Sequence, residues 1–164
     1  MWGIFPCKLP LGGRMFRGSF EHTVDGKGRL SIPVKFRDVL IGKGDDRIVI
    51  TNFVVNGSKC LDIYPIEEWS RLEEEFRKKP KFDRKVVTFQ NYYFGSASEC
   101  IVDKQGRILI PPLLRKYAEL KRDVVLVAAL EKFRVWDLDA WKKIFSDAED
   151  QLIQDPDFLG DIGI

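Results

Sequence analysis

Glu21-His22-Thr23-Val24-Asp25-Gly26-Lys27-Gly28-Arg29-Leu30-Ser31-Ile32-Pro33-Val34-Lys35-Phe36-Arg37 decides the fold, because the chain contains it twice. Seventy-eight residues later it reads Glu99-Cys100-Ile101-Val102-Asp103-Lys104-Gln105-Gly106-Arg107-Ile108-Leu109-Ile110-Pro111-Pro112-Leu113-Leu114-Arg115, with eight identities in seventeen ungapped positions. The shared pattern is E-x-x-V-D-x-x-G-R-x-x-I-P-x-x-x-R. Asp-x-x-Gly between apolar runs is turn chemistry: the carboxylate bonds backbone two residues on, and glycine takes a positive φ without a Cβ penalty. Leu30-Ser31-Ile32 and Ile108-Leu109-Ile110 suit short strands. Pro33 and Pro111 then end the ladder, having no N–H, and stand where a first helical turn tolerates proline. Each copy reads strand, tight turn, strand, proline, short helix.

Outward from this motif the duplication continues. Arg47–Thr51 matches Val124–Ala128 as an apolar strand, and Cys60–Tyr64 matches Lys132–Trp136 as an alternating one. Glu67-Glu68-Trp69 and Asp139-Ala140-Trp141 each open a charged helix. The copies lose register at Asn52 to Lys59, which reads as a longer Asn/Gly/Ser loop in the first. Two units, each too small for its own core, predict one pseudo-symmetric domain.

The Met15-Phe16-Arg17-Gly18 start, the paired D-x-x-x-R-(L/I)-x-x-P motifs, Tyr64-Pro65 before Trp69, and Gly95-Ser96-Ala97-Ser98-Glu99-Cys100 resemble the MraZ family. The resemblance covers roughly residues 15 to 160. It implies an α+β, mostly β architecture in which two SpoVT/AbrB-type repeats fold together as a pseudo-two-fold swapped-hairpin β barrel with flanking helices. It also implies a bacterial transcription regulator that binds repeats in double-stranded DNA upstream of its own division and cell-wall gene cluster. Ring-like homo-oligomers and a cytoplasmic, nucleoid-associated location go with that implication. The expected segments are 1–14 as a leader or non-native extension, 18–67 as the first repeat and 68–95 as linker helices. Residues 96–140 form the second repeat, and 141–164 a closing helix with an acidic tail.

Composition is consistent with a globular chain: 45% hydrophobic and 12% aromatic residues. No apolar run approaches the ~20 residues of a membrane-spanning helix. Three cysteines, Cys7, Cys60 and Cys100, are odd in number and widely spaced, which suits neither a disulfide framework nor a metal site. Net charge is only +2, yet its distribution is uneven. Asp147 to Ile164 holds six of the 25 acidic residues and no basic one, leaving 27 basic against 19 acidic, or +8, in the preceding body. A basic body with an acidic tail points to a polyanionic partner.

Between the repeats, Trp69, Leu72 and Phe76 recur at helical spacing, and Pro80 stops that helix. Asp83 is a fair N-cap for a second helix carrying Val86, Val87, Phe89, Tyr92 and Tyr93. Its wide apolar arc leaves interior packing and a subunit interface both open. Trp141, Ile144, Phe145, Ala148 and Leu152 mark an amphipathic closing helix ended by Asp155-Pro156, with residues 157–164 expected to fray.

The residue set does not look catalytic. Its one histidine, His22, falls in a strand, and no phosphate loop of the G-x-x-x-x-G-K-[ST] form occurs. No cofactor and no metal ligand set is indicated. The Asp-x-x-x-Arg pairs carry two compatible readings. Asp25 with Arg29, and Asp103 with Arg107, can close each turn as ion pairs. Alternatively, each arginine projects toward DNA while its carboxylate orients it, the planar fork suiting phosphate or the guanine O6/N7 edge. The resemblance puts DNA contact on Arg29 and Arg107, with Lys27 and Lys104 adding phosphate contacts and Arg17 as a further candidate. Asp25, Gly28, Pro33, Asp103, Gly106 and Pro111 shape the motif, while Arg37 and Arg115 read equally as structural. An oligomeric scaffold without a DNA role is the competing interpretation.

Overall fold

The structure is a computed structural model and describes residues 15–164, so the expected leader at 1–14 lies outside the described residues. The first copy forms β1 (Ser19–Thr23), β2 (Arg29–Ser31), α1 (Val34–Gly42), β3 (Arg47–Val55), β4 (Ser58–Pro65) and α2 (Ile66–Arg77). Then α3 (Arg84–Phe89), capped by the Asp83 carboxylate, runs into a π-helical turn at Gln90–Phe94. The second copy repeats the series as β5 (Ser98–Ile101), β6 (Arg107–Leu109), α4 (Pro112–Tyr117), β7 (Asp123–Ala129), β8 (Lys132–Asp137) and α5 (Leu138–Gln154). Pro33 and Pro111 stand at the caps of α1 and α4, one residue before the helix, at φ −53° and −55°.

The copies are interleaved. A six-stranded antiparallel sheet runs β1-β7-β8-β4-β3-β5, and β2 pairs with β6 in a separate ribbon. Thus β1 of the first copy lies on β7 of the second, β5 of the second lies on β3 of the first, and the hairpin arms are exchanged. Corresponding strands meet at a pseudo-two-fold axis: Leu30 faces Ile108 in the ribbon, and Asp62 faces Arg134 between β4 and β8. The ladders leave β1 and β5 as sheet edges, so no closed barrel is found, against the expectation of one.

Both faces of the central sheet are covered, so β3 is buried from Ile48 to Asn52 and β4 from Cys60 to Pro65. Strand alternation sends Ile48 and Ile50 into the main core with Leu30, Ile32, Phe36, Ile108, Ile110, Leu126 and Phe133. Val49 points the other way, into an aromatic cluster with Tyr64, Trp69 and Tyr93. Of the apolar arc seen in the sequence, Phe89 and Tyr92 pack on that cluster beside the buried Tyr93, while Val87 is 38% exposed.

At the axis the fully buried Asp62 accepts from Arg134 Nε at 2.7 Å and from the Tyr93 hydroxyl at 2.5 Å. Lys132 Nζ lies 3.4 Å from the same carboxylate.

Two sequence expectations are corrected. Asn52 to Lys59 is not a loop: β3 and β4 pair through to Val55–Ser58 about an Asn56-Gly57 turn with φ 47° and 81°. Asn-Gly is the favoured two-residue hairpin turn. The polar residues that suggested a loop are docking groups, with Thr51 Oγ1 donating to the Tyr93 carbonyl and Asn52 Nδ2 to Ser96 Oγ. At the other end, residues 157–164 do not fray throughout, since α6 (Phe158–Asp161) adds a helical turn. The closing helix α5 forms as expected but buries none of its residues fully, leaving Phe145, Leu152 and Ile153 exposed.

Candidate functional site

The two Asp-x-x-x-Arg turns have the same construction. Asp25 Oδ1 accepts from the backbone N–H of Lys27 (2.9 Å) and Arg29 (3.0 Å), and Oδ2 accepts from Arg29 Nε at 2.7 Å. Asp103 Oδ1 accepts from the N–H of Gln105 and Arg107, both at 2.9 Å, and Oδ2 from Arg107 Nε at 3.2 Å. Backbone bonds from Gly28 N to the Asp25 carbonyl, and from Gly106 N to the Asp103 carbonyl, close the turns. Gly28 and Gly106, at φ +86° and +76°, hold the left-handed position that a side chain would strain. These bonds to Arg29, backbone first and guanidinium second, lower the Asp25 carboxyl to about 2. The Arg107 N–H acts in the same direction on Asp103.

Each carboxylate is therefore spent on its own turn, and it grips its arginine only by Nε. Among the described residues neither Nη of Arg29 or Arg107 has a bonded partner. The side chains are 38% and 32% exposed, so each fork is oriented yet open at its far edge. Such a fork can meet two oxygens of a phosphate or two acceptors on a base edge. The geometry meets the structural reading of the pair and leaves the Nη edge of each fork without a bonded partner among the described residues.

Sequence reasoning did not foresee that the two arginines come together. Register places Arg29 opposite Leu109 and Ser31 opposite Arg107, so all four share the outer face of the β2–β6 ribbon. Leu30 and Ile108, between them, face the core. The signal available was alternation: a three-residue strand with its apolar centre buried must turn its ends outward. Lys27 and Lys104 are exposed on the turns, but at non-equivalent positions, since Lys27 corresponds to Gln105 and Lys104 to Gly26. Arg17 is also exposed but is not brought to the turns, because its neighbour Phe16 bridges to Leu130 at the far end of β1. His22 is half-buried within β1, opposite Val124.

Among the described residues no group of three or more His, Cys, Asp or Glu is placed to hold a metal ion, and no helix is long and apolar enough to cross a membrane.

Comparison with known proteins bears on most of the chain. Residues 15–91 and 93–158 each match the family model described as "MraZ protein, putative antitoxin-like". A transcriptional regulator MraZ from Desulfitobacterium hafniense is 39% identical over 150 residues, covering 92% of this chain and all of that protein. The protein of the same name from Thioalkalivibrio sulfidiphilus is 45% identical over 129 residues, covering 79% of this chain and 84% of its own length. That from Acetivibrio thermocellus is 42% identical over 133 residues, covering 81% and 88%.

Proposed function

The chain belongs to the MraZ family, and from this premise we propose that it is a transcriptional regulator that binds promoter repeats in double-stranded DNA as a homo-oligomer. The observation that carries the reading is the β2–β6 ribbon, whose outer face bears Arg29 and Arg107 with their Nη edges open. A two-stranded antiparallel ribbon is one of the two elements the major groove admits, and a forked cation there can bond guanine O6 and N7. Lys27 and Lys104 on the adjoining turns supply phosphate contacts, which set register and not sequence.

One subunit offers few charges, so affinity comes from several subunits engaging repeated sites, where effective concentration multiplies weak contacts. A ring-like assembly places identical ribbons along one duplex, and closure of the exchanged hairpins into a barrel is the finer form of the fold that accompanies this reading. The target is the chain's own division and cell-wall gene cluster, and the location the cytoplasm at the nucleoid. A scaffold without a DNA role is the second reading, favoured by the outward apolar stripe of Phe145, Leu152 and Ile153 on α5.

One experiment separates them. Arg29→Ala with Arg107→Ala keeps the native oligomeric mass by light scattering and no longer shifts a duplex taken from the DNA upstream of the gene. Retained binding with an unchanged salt slope would refute the ribbon assignment, and no binding by the native protein would favour the scaffold.

A further inference from the structure

The last identity in the duplicated motif, Arg37 in one copy and Arg115 in the other, is not used by the ribbon face. Neither forms an ion pair among the described residues, and Arg37 Nε is buried without a hydrogen-bond partner. Their surroundings explain why. A Cβ placed on Gly28 would lie 2.7 Å from Arg115 Nη1 and 3.0 Å from its Cζ. A Cβ on Gly106 would lie 2.5 Å from Arg37 Nη1 and 2.8 Å from its Nε. Each guanidinium therefore packs against the α-carbon of the turn glycine of the other copy.

The same exchange occurs in the backbone. The Gly28 carbonyl accepts from Ile110 N at 2.9 Å, and the Gly106 carbonyl from Ile32 N at 2.8 Å. Both arginines stand on rooted supports, since Phe36 precedes Arg37 and Leu114 precedes Arg115, and both of those are buried in the core. Arginine suits the place because its guanidinium is planar and weakly hydrated, whereas a lysine ammonium resists leaving water.

We propose that Arg37 and Arg115 are positioning residues that clasp, each from the opposite repeat, the glycine about which a ribbon-bearing turn pivots. The clasp holds Arg29 and Arg107 in fixed relation before any duplex arrives, so the ordering cost is met in the free protein. This deepens the DNA-binding reading and rests on it for its purpose, though the clasp itself can be tested without DNA.

The test uses the full chain with Arg37→Met, Arg115→Met and the corresponding lysine substitutions. Amide hydrogen exchange is read at both turns, and binding to the upstream duplex is measured across a salt series. Arg115→Met accelerates exchange at Gly28 and Arg29 by about tenfold or more and leaves Gly106 unchanged, while Arg37→Met does the reverse, because loss of a clasp opens its turn locally. Affinity for the duplex falls in both with the salt slope intact, and lysine does not restore it.

Exchange that rises in the substituted repeat's own turn, or in neither, overturns the clasp. So does a salt slope shallower by about 0.9 per substitution that lysine restores, since that marks a direct phosphate contact. If the native protein fails to bind the duplex, the DNA reading falls, while the exchange pattern still decides the clasp.

Discussion

Asp62→Ala tests a fully buried charged group where β4 and β8 meet. The carboxylate is fully buried and holds three groups: it accepts from Arg134 Nε at 2.7 Å and the Tyr93 hydroxyl at 2.5 Å, and ion-pairs with Lys132 Nζ at 3.4 Å. Two of these keep a partner when it goes. Tyr93 still meets the Tyr64 hydroxyl at 2.8 Å, and Lys132 still donates to that hydroxyl at 2.8 Å. Arg134 retains only the face of Phe53, at 4.9 Å from the ring centre. The loss therefore concentrates on one stranded guanidinium.

Breaking a buried pair by removing one partner costs ~3–5 kcal/mol. Side chains of Arg134 and Lys132 are 25% and 16% exposed, so water recovers part of their hydration and the low end applies, about 3 kcal/mol. In a chain of this length that lowers the thermal midpoint by roughly 6–12 °C. Urea unfolding followed by tryptophan fluorescence measures it, at one fixed protein concentration so that any self-association affects both proteins equally. Adding Arg134→Met to Asp62→Ala removes the stranded charge and recovers at least half of the loss. A single variant within about 1 kcal/mol of the native protein, or a double variant no better than the single, would refute the assignment.

Three further outcomes follow from the geometry. The Asp25 carboxyl sits at about 2 against an ordinary 3.8, so its support of the turn is complete above 3.8 and fades as pH falls through about 2; NMR titration showing a midpoint at 3.8 would contradict the Arg29 contacts. Burial, and secondarily the Asp62 charge, pushes the Cys60 thiol up to about 12, so an aromatic disulfide reagent near pH 8 leaves it untouched until the chain unfolds. Gly57 has nothing within 4 Å of a would-be Cβ but φ +81°, so Gly57→Ala loses about 1 kcal/mol of stability from backbone strain alone, and Gly57→Asn loses less in the same urea assay.

Much of this molecule is legible from the chain because it is written twice. The recurrence of Asp-x-x-Gly-Arg gave both turns, and the matched apolar runs gave β3, β4, β7 and β8 and the helices after them. Failure at Asn52 to Lys59 has a physical origin. Thr51 and Asn52 are polar because they bond to Tyr93 and Ser96, more than forty residues away, and local propensity carries no trace of such partners. The same limit hid Arg37 and Arg115. A repeated arginine on a short helix announces neither that its target is a glycine nor that the glycine belongs to the other copy.

Strand exchange also explains where the duplication had to diverge. Asp62 and Arg134 occupy matching positions of the two copies, and the antiparallel pairing of β4 with β8 sets them face to face. Two identical copies would oppose two carboxylates or two guanidinium groups there, and like charges repel at a position where the Asp62 side chain is fully buried. Opposite charges turn that liability into an ion pair, one that a single fused chain can encode and a symmetric dimer of one half cannot. Leu30 and Ile108, the matching pair in the ribbon, face each other in the same way but are apolar, so near-identity is tolerated. On the turns the constraint lapses, and the lysines stand one position apart, Lys27 against Lys104. In the DNA-binding reading the ribbon thus presents paired arginines flanked by unequal lysine placement, and the two ends of one subunit meet a duplex differently. Exchanging the turn residues, so that the first copy reads Asp-Lys-Gln-Gly-Arg and the second Asp-Gly-Lys-Gly-Arg, reverses that polarity without altering fold or net charge.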